Sequence, residues 1–249
     1  MITNWVLAGI IGLVIGSFLN VVIARLPERR SLWKPGSACP TCGAAIAWYD
    51  NIPLLSYVLL RGRCRACAGS ISARYPIVEA VTGALFIAAF ARFGWGRDLG
   101  VAWILLAALV AITVIDLDHQ IIPDVITLPG IVTGFVVNVA SGRLFWTDSL
   151  FGILLGGGVF FAIILASGGG MGGGDMKLGA MFGAFLGWKV TIVAIFLAVI
   201  AGGVVAAAML AAGRKGRKDA IPFGPFLAVG GAAAVFWGER IVTWYRAGF

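Results

Sequence analysis

Long apolar runs separated by short polar stretches fill most of this chain. A helix needs roughly 17–25 mostly apolar residues to cross a bilayer. Eight runs approach that length: about 4–24, 76–92, 100–116, 124–140, 149–167, 175–189, 190–212 and 222–242. Only Trp188 and Lys189 interrupt the sixth and seventh, so their boundary is the least defined. The first run carries no Lys or Arg before Arg25, lacks the basic start of a cleavable signal, and is expected to be retained. Residues 25–75 are the one sizeable polar segment. The pattern predicts an all-α polytopic membrane protein of about eight transmembrane helices, with a long loop between the first and second.

Composition supports this reading. Of 249 residues, 60% are hydrophobic and only 12% charged, against about 25% charged in soluble domains. The net charge of +8 would suggest a nucleic-acid partner in a soluble protein, but its distribution assigns it to topology. If the N-terminus lies outside, thirteen of the nineteen Lys and Arg share one side, eight of them in the 25–75 loop. Positive charge is retained in the cytoplasm, so this loop, the glycine run at 168–174 and the basic cluster "RKGRKD" at 214–219 are predicted to be cytoplasmic, the cluster acting as an anchor. No nucleic-acid partner is expected.

The 25–75 loop holds all four cysteines, as "CPTC" (Cys39, Cys42) and "CRAC" (Cys64, Cys67). Two CxxC pairs at this spacing fit a closed tetrathiolate zinc site. A loop with so little apolar content needs such a staple to fold. The other reading is two redox pairs or free thiols. A site with four thiolate ligands leaves no position for substrate, so the zinc is expected to be structural.

Three acids cluster in "VIDLDHQIIPDVITL": Asp116, Asp118 and Asp124. Asp116 directly follows an apolar run, and an Asp within a spanning segment costs about 2.5–3.5 kcal/mol. If the helix continues, Asp118 lies about 200° around from Asp116, as an exposed acid or as a second functional one. Pro123 breaks the helix and Asp124 is expected to cap the next. His119 has no second histidine to work with and reads as a solvated turn residue. A fourth acid, Asp175, ends "SGGGMGGGD". Two crossings separate it from Asp116, which brings both to the same membrane face. Gly172, Gly173 and Gly174 remove side chains in front of it, so an extended peptide can approach. Non-helical backbone at that depth survives only when buried in protein or lining a wet cavity, so a water-accessible cleft is predicted; a flexible linker with a capping Asp is the plainer alternative. Paired carboxylates cannot both ionise cheaply. One then takes a proton from water while the other donates one, which is aspartic proteolysis.

These residues resemble a known family. "GGGDMKLGA" is similar to the GxGD signature of intramembrane aspartic proteases, and "DLDHQIIPD" resembles the partner motif of the bacterial type IV prepilin peptidases. "GSFLNVVIARLP" at 16–27, the two CxxC pairs, "NIPLLSYVLLRGRCRAC" and "ISARYPIVEAVTG" extend the resemblance over most of the chain, in matching order. It implies a bifunctional enzyme of the bacterial inner membrane. Such an enzyme cuts the basic leader from prepilins or type II secretion pseudopilins on the cytoplasmic side. It then methylates the new N-terminal residue with S-adenosylmethionine. The family's catalytic aspartates fall on Asp116 and Asp175, and Asp124 belongs to the motif as a secondary candidate. The implied division is a first helix at 1–24, a zinc loop associated with methylation at 25–75, and a peptidase domain at 76–249. Glu79, four residues into an apolar segment, is the candidate for the methylation half; an ion pair with a loop arginine accounts for it equally. Lys177 is a candidate for steadying charge near the dyad, with an anionic lipid phosphate as its plainer partner.

Two other classes compete. A proton- or ion-coupled transporter also uses intramembrane acids and glycine-broken helices, here Asp116 and Asp175. A zinc-bearing assembly factor would use its helices as anchors alone and tolerate loss of both acids.

Overall fold

The structure, a computed structural model, describes residues 2–168, 170–212 and 222–248. The 214–219 cluster lies outside the described residues. Eight α-helices follow in order: α1 (Ile2–Arg25), α2 (Leu55–Leu59), α3 (Arg74–Phe93), α4 (Arg97–His119), α5 (Asp124–Ser141), α6 (Trp146–Ala166), α7 (Gly173–Ala211) and α8 (Gly224–Ala247). All but α2 are long and apolar enough to cross a membrane. Extended pairing among the described residues is confined to two isolated bridges in the 25–75 loop. This is an all-α, multi-pass membrane protein.

The chain divides into two compact units, Met1–Leu99 and Gly100–Phe249. The first unit takes in α3, which packs along α1. In lipid, helices associate through close van der Waals fit at small residues. A Cβ on Gly12 would sit 2.8 Å from Gly83 Cα, and one on Gly16 would sit 2.7 Å from Glu79 Cα. Side chains at these glycines would hold the two helices apart.

The second unit is organised by α7, whose buried Leu178, Met181, Phe182 and Phe185 join Leu105, Leu109 and Ile112 of α4 and Leu227 of α8 in one core. The 39 residues of α7 are not one rod. Gly187 has φ 73° and ψ 166°, which no helix accommodates. Its φ favours glycine, which has no Cβ to clash there. A Cβ on Gly156 of α6 would touch both the Gly179 carbonyl and Thr191 Cγ2. In a straight helix those two residues would be about 18 Å apart, so the chain folds back at Gly187. The two arms, 173–186 and 188–211, realise the sixth and seventh predicted helices, with the boundary two residues earlier than the apolar pattern placed it.

A helix ending inside a bilayer strands its last carbonyls, and each must find a donor within the protein. Here α5, α6 and the turn between them supply them. Asn138 Nδ2 donates to the carbonyls of Ala184 (2.7 Å) and Phe185 (3.0 Å). Ser149 Oγ also reaches Ala184 (3.0 Å), and Arg143 Nη1 reaches Phe185 (2.9 Å). The first arm is thereby ended and held against both neighbours.

The closest approach in the unit joins α6 to this arm, where Gly152 meets Gly183 and Gly156 meets Gly179. A Cβ on Gly183 would overlap the Gly152 carbonyl group. Gly183→Ala is therefore expected to cost about 1–3 kcal/mol by overpacking and lower the unfolding midpoint in detergent. Gly158→Ala, in α6 with nothing within 4 Å of its Cβ, is the control and should leave the midpoint unchanged or slightly raised. Thermal denaturation of the two purified variants checks the contrast.

Candidate active site and metal cluster

Asp116 lies in the last turn of α4, which runs three residues beyond it to His119. Its side chain is buried while Asp118 and His119 are exposed, as the 200° step between adjacent acids requires. The backbone N–H of Gly224, the first residue of α8, donates to Asp116 Oδ2 at 2.9 Å. A Cβ on Gly224 would stand 2.6 Å from that same oxygen. Glycine at 224 is what lets the amide approach, and Pro225 behind it suits the start of a helix. The sequence reading missed Gly224; its only trace is a glycine before a proline at the head of an apolar run.

Asp175 is also buried, in the first turn of α7, with its N–H donating to the Gly172 carbonyl at 3.1 Å. The glycine stretch differs from a continuous loop. Gly172 is the cap, and Gly173 and Gly174 already belong to the helix. At Gly174 a Cβ would meet Ile122 Cβ at 2.7 Å, so this residue brings the chain after α4 against α7. Gly173 has nothing within 4 Å of a Cβ position and stands open.

Asp116 and Asp175 line one cleft of about 510 Å³, walled by the 120–122 segment, the glycine stretch and Phe223. Two acids 59 positions apart in sequence thus share a chamber with backbone on one wall and few side chains in front of Asp175. Asp124 and Lys177 stand beside it and bind each other: Lys177 Nζ donates to the two Asp124 carboxylate oxygens at 2.6 and 2.7 Å. Asp124 is the first residue of α5 and Pro123 holds the cap position, with no side-chain capping bond. The expected capping role is replaced by an ion pair, because α5 and α7 lie side by side. The same pairing gives Lys177 a protein carboxylate where a lipid phosphate was expected.

The first unit contains the cysteine cluster. Each CxxC pair sits in a tight turn of the same design. Cys39 N–H donates to Ala44 and Gly43 N–H to Cys39; Cys64 N–H donates to Gly69 and Ala68 N–H to Cys64. Gly43 and Ala68 both have positive φ, 71° and 58°. The four Sγ atoms lie within 4.8 Å of one another. Around a tetrahedral thiolate-bound metal they would stand about 3.8 Å apart, so the donor set fits such an ion. The electrostatics agree. The Cys39 thiol is brought down to about 6, chiefly by the backbone N–H groups of Cys42 and Thr41. Cys67, despite the Gly69 N–H, is pushed up to about 11 by its neighbouring sulfurs and burial. Four sulfurs this close share protons unless a cation replaces them. Arg65 clamps the second turn through Asp50, at 2.8 and 2.6 Å, and holds that carboxyl below the usual carboxylate range.

Glu79 is buried in α3, where it accepts from the Leu54 N–H at 2.9 Å and from the Ser17 hydroxyl. It fastens the loop to the helix through backbone, an alternative to the arginine pair expected of it.

The chain matches two family models: the bacterial peptidase A24 N-terminal domain over residues 10–93, and the type IV leader peptidase family over residues 103–207. It is similar to proteins named prepilin leader peptidase/N-methyltransferase. The one from Myxococcus xanthus is 44% identical over 215 residues, covering 84% of this chain but only 64% of that relative. Those from Aeromonas hydrophila and Pseudomonas aeruginosa are each 37% identical, covering 95% and 96% of this chain and 92% and 93% of the relatives. No solved structure matches the chain. The matches run through α1, the cysteine turns and the helices that carry Asp116 and Asp175, and on them the chain belongs to the type IV leader peptidase family.

Proposed function

We propose that this protein is an aspartic endopeptidase of the bacterial inner membrane that cuts the leader from type IV prepilins or type II secretion pseudopilins at the cytoplasmic face and then N-methylates the new N-terminus. The observation that carries the peptidase reading is the shared cleft, in which Asp116 and Asp175 face one space bordered by glycine. An extended peptide needs room in front of the acids, and the open Gly173 position leaves it. One carboxylate, ionised, accepts a proton from water as the water oxygen attacks the scissile carbonyl. The other, protonated, donates to the carbonyl oxygen. The resulting tetrahedral centre collapses as a proton passes to the leaving amine, which restores the starting pair. The Gly224 amide keeps Asp116 aimed and supplies a donor to its charged form. The Asp124–Lys177 pair ties α5 to α7 two residues from Ile122 and Asp175 of the cleft, as a positioning element.

Zinc is the metal proposed for the cysteine cluster, since four thiolates in tetrahedral reach suit it and leave no open position for chemistry. Its role is to close the 25–75 loop. S-adenosylmethionine is the proposed methyl donor on the strength of the relatives' names; when bound it supplies the methyl group to the new amine. Glu79 remains the candidate on this half, first as the residue that holds Leu54 in place.

Asp116→Asn and Asp175→Asn should each lower leader cleavage by about 10²–10⁴-fold while methylation of a pre-cut substrate continues. A pilin-like substrate in detergent reads both activities. Turnover near wild type in either variant would remove the dyad, and absence of cleavage by the intact protein would favour the transporter reading. Gly224→Ala should depress cleavage about tenfold or more, because a Cβ there would displace the Asp116 carboxylate from its amide donor; cleavage equal to the parent's would leave Gly224 a packing residue only. Cys39→Ser with Cys64→Ser should reduce bound zinc from about one per chain to a small fraction, measured by elemental analysis, and lower thermal stability. Equal metal content in the variant and the parent would contradict the assignment.

A further inference from the structure

α2 is patterned inside out. Its polar Ser56 is buried, with Oγ donating to the Tyr49 carbonyl and accepting from the Ile52 N–H. Its apolar residues face outward. Leu55 is 50% exposed, Val58 and Leu59 are each 70% exposed, and Ile52, just before the helix, is 39% exposed. The spacing 55, 58, 59 makes one stripe on one helical face, and Ile52 precedes it outside the helix. In water such a stripe would be a liability.

Two internal rulers show where the stripe lies. α3 is 20 residues long, about 30 Å, so crossing the hydrocarbon takes its whole length and leaves Arg74 and Arg92 at the two edges. Glu79 is five residues in, about 7.5 Å below the Arg74 edge. Leu54, the residue that opens α2, is hydrogen-bonded to Glu79 itself. α1 also places Glu79 well inside a spanning helix. Gly16 packs on Glu79 Cα, and nine further residues, about 13 Å of helix, lead from there to Arg25. The start of α2 is thus tied to a side chain that grows from inside the spanning part of α3. Trp48, 81% exposed, precedes the stripe and the exposed Arg61 and Arg63 follow it, the order of groups that an interface favours.

We propose that residues 52–59 dip into the bilayer as a re-entrant knuckle whose Ile52, Leu55, Val58 and Leu59 contact lipid acyl chains, so that the cysteine-bearing loop is docked on the membrane surface. The loop is then a monotopic element with a fixed height, set by Glu79, and not a tethered soluble domain.

Nitroxide labels at Val58→Cys and Leu59→Cys, in metal-loaded full-length protein in phospholipid vesicles, test this against Trp33→Cys as a loop reference. At 58 and 59, collision with oxygen should exceed collision with a water-soluble nickel chelate, and the order should reverse at 33. Dominance of the chelate at 58 and 59 would mean an aqueous loop. Low values for both probes would mean that protein, from the second unit or another copy, covers the face; either result overturns the proposal. On unaltered protein, a phospholipid with a photoactivatable acyl chain should label the peptide spanning 52–59 as it labels lipid-facing Ile10 and Val14 of α1. Labelling of α1 without that peptide would also overturn it.

Discussion

Within hydrocarbon every polar group must be answered from inside the protein, and this requirement governs both units. It explains why several buried polar side chains of so apolar a chain are spent on helix ends and breaks. Asn138, Arg143 and Ser149 answer the carbonyls released where α7 turns back at Gly187. The Gly224 amide answers Asp116. Glu79 is met by the Leu54 N–H. Asp175 differs in being set at a helix start whose adjoining glycines leave the cleft beside it open. A catalytic carboxylate has to meet water and substrate, and the glycine stretch provides that opening without breaking the rule elsewhere.

Glycine does two different jobs here. Along the α6–α7 and α1–α3 contacts it removes side chains so that backbones touch, which in lipid is the main source of helix affinity. Around the cleft it removes side chains so that something else can approach. The same residue type gives the second unit its firm centre and its open mouth, and the two are one helical arm apart.

Much of this was readable from the chain. Apolar runs located the spanning helices because a bilayer imposes a length, and the CxxC spacing foretold the sulfur cluster because metal geometry imposes a distance. The meeting of Asp116 and Asp175 followed from counting crossings between them. What escaped depended on neighbours remote in sequence. Nothing near Asp124 announces Lys177, because their pairing requires α5 to lie against α7. The turn at Gly187 is one glycine among 36, distinguished only by its φ and by donors from two other helices. Gly224 resembles any glycine before a helical proline until the carboxylate beside it is seen.

The most direct test of the account is a prepilin-like peptide with a hydroxyethylene group in place of the scissile amide. Such a group mimics the tetrahedral centre that both acids would hold, and transition-state mimics bind far more tightly than substrates. Titration against the intact protein in vesicles should show tight, competitive binding that weakens sharply when either Asp116 or Asp175 is replaced by Asn. Binding no tighter than the ordinary peptide, or binding indifferent to both replacements, would contradict a site in which the two carboxylates work on one carbonyl.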